Sequence, residues 1–340
     1  MIKSIQGKVF FTLVLFLVCI ILFVADIATG PADMGVLKIL QIVFHQHGEG
    51  NERIIVMGIR IPVALMAVVV GASLSLAGCL LQTILNNPMA SPYSLGISSA
   101  AGFGAAITIV FSFGLSFVEK DISIALNALL FSLVASGVVY ALSSWKQASP
   151  EAFILIGIAV LFTFQSLLSA VEYYSSPEDL QGITFWLFGS LSKATYPKIA
   201  IIFSMFFVSF CFVMRNAWVL TAIRLGEARA EALGINLKYF RLKIFLVVSI
   251  LTSVAVCFVG IIGFIGIIAP HISRLIIGED HRILLPNSAF LGAIILLLSS
   301  IVSKVILPGA VFPIGIVTAV AGIPMFLFII LFNRKTRLWH

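Results

Sequence analysis

Ten stretches of this chain are almost continuously apolar, at residues 9–26, 60–84, 94–113, 122–142, 152–171, 198–215, 243–260, 262–275, 284–305 and 313–332. A helix needs about 20 such residues to cross the hydrocarbon core of a bilayer. Inside lipid every backbone N–H and C=O must find its partner within the protein, so only helices or closed barrels span it. Barrel strands alternate apolar and polar residues over about ten positions, and these runs do not alternate. The expected fold is therefore an all-α polytopic membrane protein of about ten transmembrane helices. Residues 262–275 are short and glycine-rich, which fits a half-span packed inside the bundle. Composition agrees: 61% of residues are hydrophobic and 10% charged, against roughly 25% charged in soluble proteins.

Lys3 and Lys8 precede the first run. That run is longer than the roughly 7–15 apolar residues of a cleaved signal peptide, so a retained first helix is expected. With ten spans both termini share one side. That side collects fourteen Lys and Arg against seven on the other, and five acids against nine. The positive-inside rule makes the termini cytoplasmic. The formal charge of +7 is thus a topology signal, and no nucleic-acid partner is expected. Cys19, Cys79, Cys211 and Cys257 all lie within apolar runs without CxxC spacing, which points to packing rather than to a disulfide or metal framework. His45 and His47 lack a third ligand in reach, and no metal site is expected there.

No charged residue occupies the centre of a span; Asp26 and Glu172 sit at span ends. Ion-coupled transporters usually keep an ionisable group at membrane depth, although sodium can also couple through backbone carbonyls. The chain has no HExxH, no GxSxG and no GxxxxGK[ST] loop, so no catalytic residues are expected and no ATP site of that kind. A drive by ATP would have to come from a partner. Ala67, Gly71, Ser75 and Gly78, and likewise Gly260, Gly263 and Gly266, recur at helical spacing. Such small faces admit close backbone approach, either within the chain or at a subunit interface. Two loops stand out for length. Residues 172–197 could carry a surface helix at Ile183–Phe188. Residues 215–243 read as a charged helix–Gly–helix pattern. No soluble domain interrupts residues 1–340, which are expected to form one transmembrane unit.

Four ordered motifs resemble one family. RIPVALMAVVVGASLSLAGCLLQTILNNPMASPYSLGISSAAGFGAA (Arg60–Ala106), FWLFGSLSKATYP (Phe185–Pro197), GFIGIIAPHISRLIIGEDHRILLP (Gly263–Pro286) and FPIGIVTAVAGIPMFLFIILF (Phe312–Phe332) are similar to the FecCD-type permeases of ABC importers. That family takes up iron-siderophores, haem and vitamin B12. The resemblance implies a two-fold permease dimer, homomeric or heteromeric, of type II importer fold. It further implies two cytoplasmic ATP-binding subunits and an extracytoplasmic substrate-binding protein. ATP and Mg²⁺ would be held by the ATPase, and this chain would bind no cofactor.

The cargo implied first is an iron(III)-siderophore, with haem, cobalamin or molybdate, or a stand-alone secondary transporter, as alternatives. The ATPase-coupling role falls on Arg224, Leu225, Gly226, Glu227, Ala230, Leu233 and Gly234 within residues 216–242. Docking of the binding protein falls on Arg60 and Lys304, or Arg60 is an interfacial anchor. The family's second arginine is replaced by Val63, and its acid before the last proline by Val311-Phe312-Pro313. The fifth span would line the pore through Gln165, Ser166 and Ser169, beside Thr163. The inner gate would lie at Gln147-Ala148-Ser149-Pro150.

Overall fold

The computed structural model describes residues 4–30, 34–45, 50–113, 119–145, 149–307 and 310–332. Gln147 and Ala148 of the expected gate, Lys3, Lys146, His47 and the basic residues beyond 332 lie outside these. The regular elements of the described residues are all helices, without a strand. In chain order the helices are α1 (Ile5–Ala28), α2 (Val36–His45), α3 (Gly50–Arg53), α4 (Ile61–Ile84), α5 (Ile97–Phe111), α6 (Lys120–Trp145), α7 (Pro150–Tyr173) and α8 (Pro177–Leu187). They continue with α9 (Tyr196–Arg215), α10 (Ala217–Arg224), α11 (Glu227–Ala232), α12 (Leu237–Val259), α13 (Ile265–Ile277), α14 (His281–Val305) and α15 (Ile314–Phe332). Among the described residues seven helical stretches are long and apolar enough to cross a membrane, and three shorter apolar helices accompany them. The ten expected spans are thereby all helical.

Local chemistry sets many of the helix starts. Ser149 and Ser176 are N-caps whose hydroxyls accept from Ala152 N (3.3 Å) and Asp179 N (3.1 Å), each followed by proline in the first turn. Asn236 caps α12 and Asp280 caps α14 in the same way. Such side chains take up N–H groups that a helix start leaves unpaired, and proline at its first position loses no bond.

Three details differ from expectation. The surface helix begins at Pro177, not Ile183, because the Ser176–Pro177 cap starts it a turn and a half earlier. The segment before the second span is itself helical: α3 runs through a π-helical turn, Ile54–Arg60, straight into α4. Cys211 is exposed, unlike the other three cysteines.

Burial divides the bundle into rim and core. Helix α4 is buried over almost its whole circumference, as a helix apolar on all sides must be. It is enclosed by α12, α13 and α14, while α1, α7 and α9 expose most of their surface. Lipid is as apolar as leucine, so close packing and interhelical hydrogen bonds must hold helices together. The small face of α4 does both. A Cβ on Gly71 would strike the Gly292 carbonyl of α14, and one on Gly78 the Gly266 carbonyl of α13. Ser75 Oγ donates to Ser288 O at 2.6 Å. Of the two possibilities for the Ala67–Gly78 face, packing within the chain is the one observed. Asn127 Nδ2 donates to Thr108 Oγ1 (2.7 Å) and Asn287 Nδ2 to Thr12 Oγ1 (2.8 Å), tying α6 to α5 and α14 to α1. These pairings give the bundle a near face, which carries the start of α1, and a far face opposite.

Candidate functional site

The near face carries the helix–Gly–helix segment. Helix α10 ends at Arg224, and Gly226 turns the chain into α11 with φ +127°, a conformation closed to most L side chains. Ala230 is fully buried against the bundle, whereas Leu225 and Leu233 are 59% and 65% exposed. Gly234, at φ +78°, ends the unit.

Polar contacts lock this pair to the bundle. Arg224 Nε donates to Glu279 Oε1 at 3.1 Å, and its guanidinium also donates to the Asn86 side chain. Glu279, in the α13–α14 turn, faces a second arginine, with Arg274 Nε 3.3 Å from Oε2. Arg274 donates in turn to the Cys79 carbonyl and the Thr83 hydroxyl, both at 3.2 Å, and to the Gln82 side chain. His281 is fully buried between Thr83 Oγ1 (2.8 Å) and Thr221 Oγ1 (3.3 Å). Glu227 pairs with Arg241, whose Nε also reaches the Ile84 carbonyl at 3.1 Å. Asp280, beside this cluster, has its carboxyl held below the usual aspartate range by hydrogen bonds from Arg282.

The far face holds a second charged cluster. Asp26, with no exposed surface, lies 2.8 Å from Lys304 Nζ, and Lys304 also donates to the Asp26 carbonyl. Arg60 is 4% exposed and donates to the carbonyls of Ile27 (3.0 Å) and Ala28 (3.1 Å) at the end of α1. It thereby satisfies acceptors that a helix C-terminus leaves open. Arg60 and Lys304 stand in the wall of a recess of about 200 Å³, with Thr29, Ser192 and Ser303 among its hydroxyls.

Between the faces lies a cavity of about 500 Å³. Its walls are the end of α8 (Leu187, Phe188), the α12–α13 link (Ile261, Phe264) and α15 (Ile316, Ile323). None of the residues expected at the pore or gate lines it. Ser149 is the exposed cap of α7 and Pro150 its half-buried first residue. Helix α7 buries Phe153, Gly157, Val160, Phe164, Leu168 and Val171 on one stripe. Ser166 and Ser169 stand exposed away from that stripe, with Gln165 half-buried at its edge.

Sequence reasoning did not single out Arg274, Glu279, His281, Asn86 or Phe264 individually. All five stand inside the quoted motifs LNNP and GFIGIIAPHISRLIIGEDHR. Their roles became visible only where the fold joined the two segments.

Residues 17–332 match the FecCD transport family. The hemin transport system permease protein HmuU of Yersinia pestis is 32% identical over 319 residues, covering 94% of this chain and 96% of the relative. The molybdate import system permease protein MolB of Haemophilus influenzae is also 32% identical, covering 94% of each chain. A solved structure described as a metal-chelate type ABC transporter in an inward-facing conformation superposes with a TM-score of 0.83. It is 29% identical and covers 94% of this chain and 98% of its own. The chain belongs to the FecCD transport family and is a multi-pass membrane permease of an ABC importer.

Proposed function

We propose that this permease imports an iron(III)-siderophore or a similar iron chelate by alternating access, with both termini in the cytoplasm. Two copies, or this chain and a homologous partner, enclose the path. The exposed face of α7, with Gln165, Ser166 and Ser169, borders the shared axis, and Ser149–Pro150 lies at its inner mouth. Two ATP-binding subunits, carrying ATP and Mg²⁺, engage the near face through Arg224, Leu225, Gly226, Glu227, Ala230, Leu233 and Gly234. This permease hydrolyses nothing itself. A substrate-binding protein docks on the far face, where an acidic side chain entering the recess would meet Arg60 and Lys304. Complementary charge of this kind chiefly sets orientation and on-rate.

One observation carries the coupling assignment. Leu225 and Leu233 stand 59% and 65% exposed on a helix pair that is outside the apolar spans and tied to the bundle. Two such leucines on a braced surface suit a protein partner's groove. The relatives named above transport hemin and molybdate, and others are named for iron(3+)-hydroxamate and Fe(3+)-citrate, which supports a chelate or oxyanion cargo.

The test is uptake into proteoliposomes that contain the permease, its ATPase and its binding protein. Wild type is compared with Glu227→Arg/Glu231→Arg, with and without internal ATP, using a radiolabelled ferric hydroxamate as probe. ATP-dependent uptake, lost in the double variant while the complex still assembles, is the expected result. Uptake indifferent to ATP would sink the mechanism. ATP turnover stimulated only by a haem- or molybdate-loaded binding protein would change the cargo and leave the machine standing.

A further inference from the structure

Glu279 is a carboxylate that joins the coupling pair to α13. One oxygen takes Arg224 of α10 at 3.1 Å and the other faces Arg274 of α13 at 3.3 Å. Its side chain is 32% exposed, and those of the two arginines 16% and 11%. This ion pair is shielded from water on the arginine side and only partly open on its own. A displacement of α10 can thus be passed to α13 through this group, beside the packing of α10 on α4 and α14.

Helix α13 is built to pass such a displacement on. It runs about 15 Å from Arg274 near the surface to its N-cap, Phe264, at the cavity. Phe264 has φ +67°, the left-handed region that bulky residues rarely adopt and that marks stored local strain. The Phe264 side chain occupies the space where Gly322 of α15 would otherwise carry a Cβ. Near its N-terminus α13 meets α4 backbone to backbone at Gly266 and Gly78, and the side chains of Gln82 and Arg274 bond the two helices at and beyond that contact. Small sliding of packed helices is one way in which such a displacement is carried.

Resting on the coupling role assigned above, we propose that Glu279 is a positioning residue that carries ATPase-driven movement of α10 into α13. Helix α13, a rod interrupted at Pro270 but packed along α4 and α14, then moves Phe264 at the cavity wall. The near-face segment and the cavity are thus two ends of one mechanical element.

The experiment uses the permease assembled with its ATPase in lipid nanodiscs. A fluorophore is placed at Ile323→Cys, a half-exposed cavity position, and the exposed Cys211 is replaced by serine. In this parent, ATP changes the emission of the label. In Glu279→Gln the expected result is ATP turnover within about twofold of the parent and a label response reduced about fivefold or more, the low end of an allosteric coupling. A full label response in Glu279→Gln overturns the proposal. So does a parallel fall of assembly, thermal stability and turnover, which would make Glu279 a structural brace only.

Phe264→Gly supplies a second arm that leaves the near face intact. It should keep turnover and lose the label response, and an unchanged response removes the rod. A parent that shows no response to ATP at all sinks the coupling assignment itself, a result separate from either variant's failure.

Discussion

Each face of the bundle gathers one acid and two bases, and the two clusters differ in what they join. On the far face Asp26 is wholly buried with Lys304, and Arg60 sits close by on the end of α1. All three residues belong to long helices of the bundle. On the near face Glu279 is a third exposed, and one of its two arginines comes from α10, a surface helix that crosses nothing. Taking charges fully out of water is costly unless their partners are fixed, so the buried Asp26–Lys304 pair serves as a clamp between α1 and α14. A partly wet trio can exchange partners with water and move. The same charge types thus make a static fastening at one end and a joint at the other.

The comparison can be broken most decisively at the clamp. Lys304→Met strands Asp26 and should destabilise the permease by about 3–5 kcal/mol, measured by thermal unfolding in detergent. Asp26→Asn combined with Lys304→Met should recover most of that loss. A double variant no more stable than the single one would show that the pair is not what holds α1 to α14.

At the joint the effects should be smaller. Thr83→Val removes the 2.8 Å partner of His281 and should cost about 1–3 kcal/mol, the penalty of one buried polar group left unpaired. An unchanged melting temperature would mean that Thr221 alone satisfies the ring.

The smallest change expected is at the helix cap. Asp280→Ala should cost about 1 kcal/mol at neutral pH. Because Arg282 depresses the Asp280 carboxyl below the ordinary aspartate value of 3.8, its folded form binds a proton less readily than the unfolded chain does. The contribution is therefore complete above that value and disappears as pH falls through the depressed one. Unfolding curves of wild type and variant should converge in strong acid; curves that stay parallel there would assign the loss to packing.

Much of this molecule was legible in its sequence, for a physical reason. Continuous apolar runs announce spans because lipid permits few alternatives, and the Gly226 break announced two short helices where α10 and α11 now stand. Asp26 read as a residue at a helix end, and Arg60 as one displayed to a partner or to the interface. The fold buries both, and the partner of Asp26 lies 278 residues away. Glu279 meets Arg224 across 55 residues. Local periodicity says nothing about such pairs, since they depend on which helices become neighbours. The polar positions Thr163, Gln165, Ser166 and Ser169 of α7 were legible, but spread over more than one face. Which surface they meet depends on a neighbour outside the chain.

The small notch on α4 also sets a timetable for the ribosome. Ser75 finds its acceptor on Ser288, 213 residues later in the chain. At about 5–20 residues per second, that is roughly 10–40 s of synthesis. Until then the most enclosed helix of the finished protein must wait in the bilayer without α14, the face that carries Gly71 and Ser75 uncovered. Insertion and assembly are therefore separate events for this permease, and membrane quality control has its longest view of an unfinished bundle before α14 arrives.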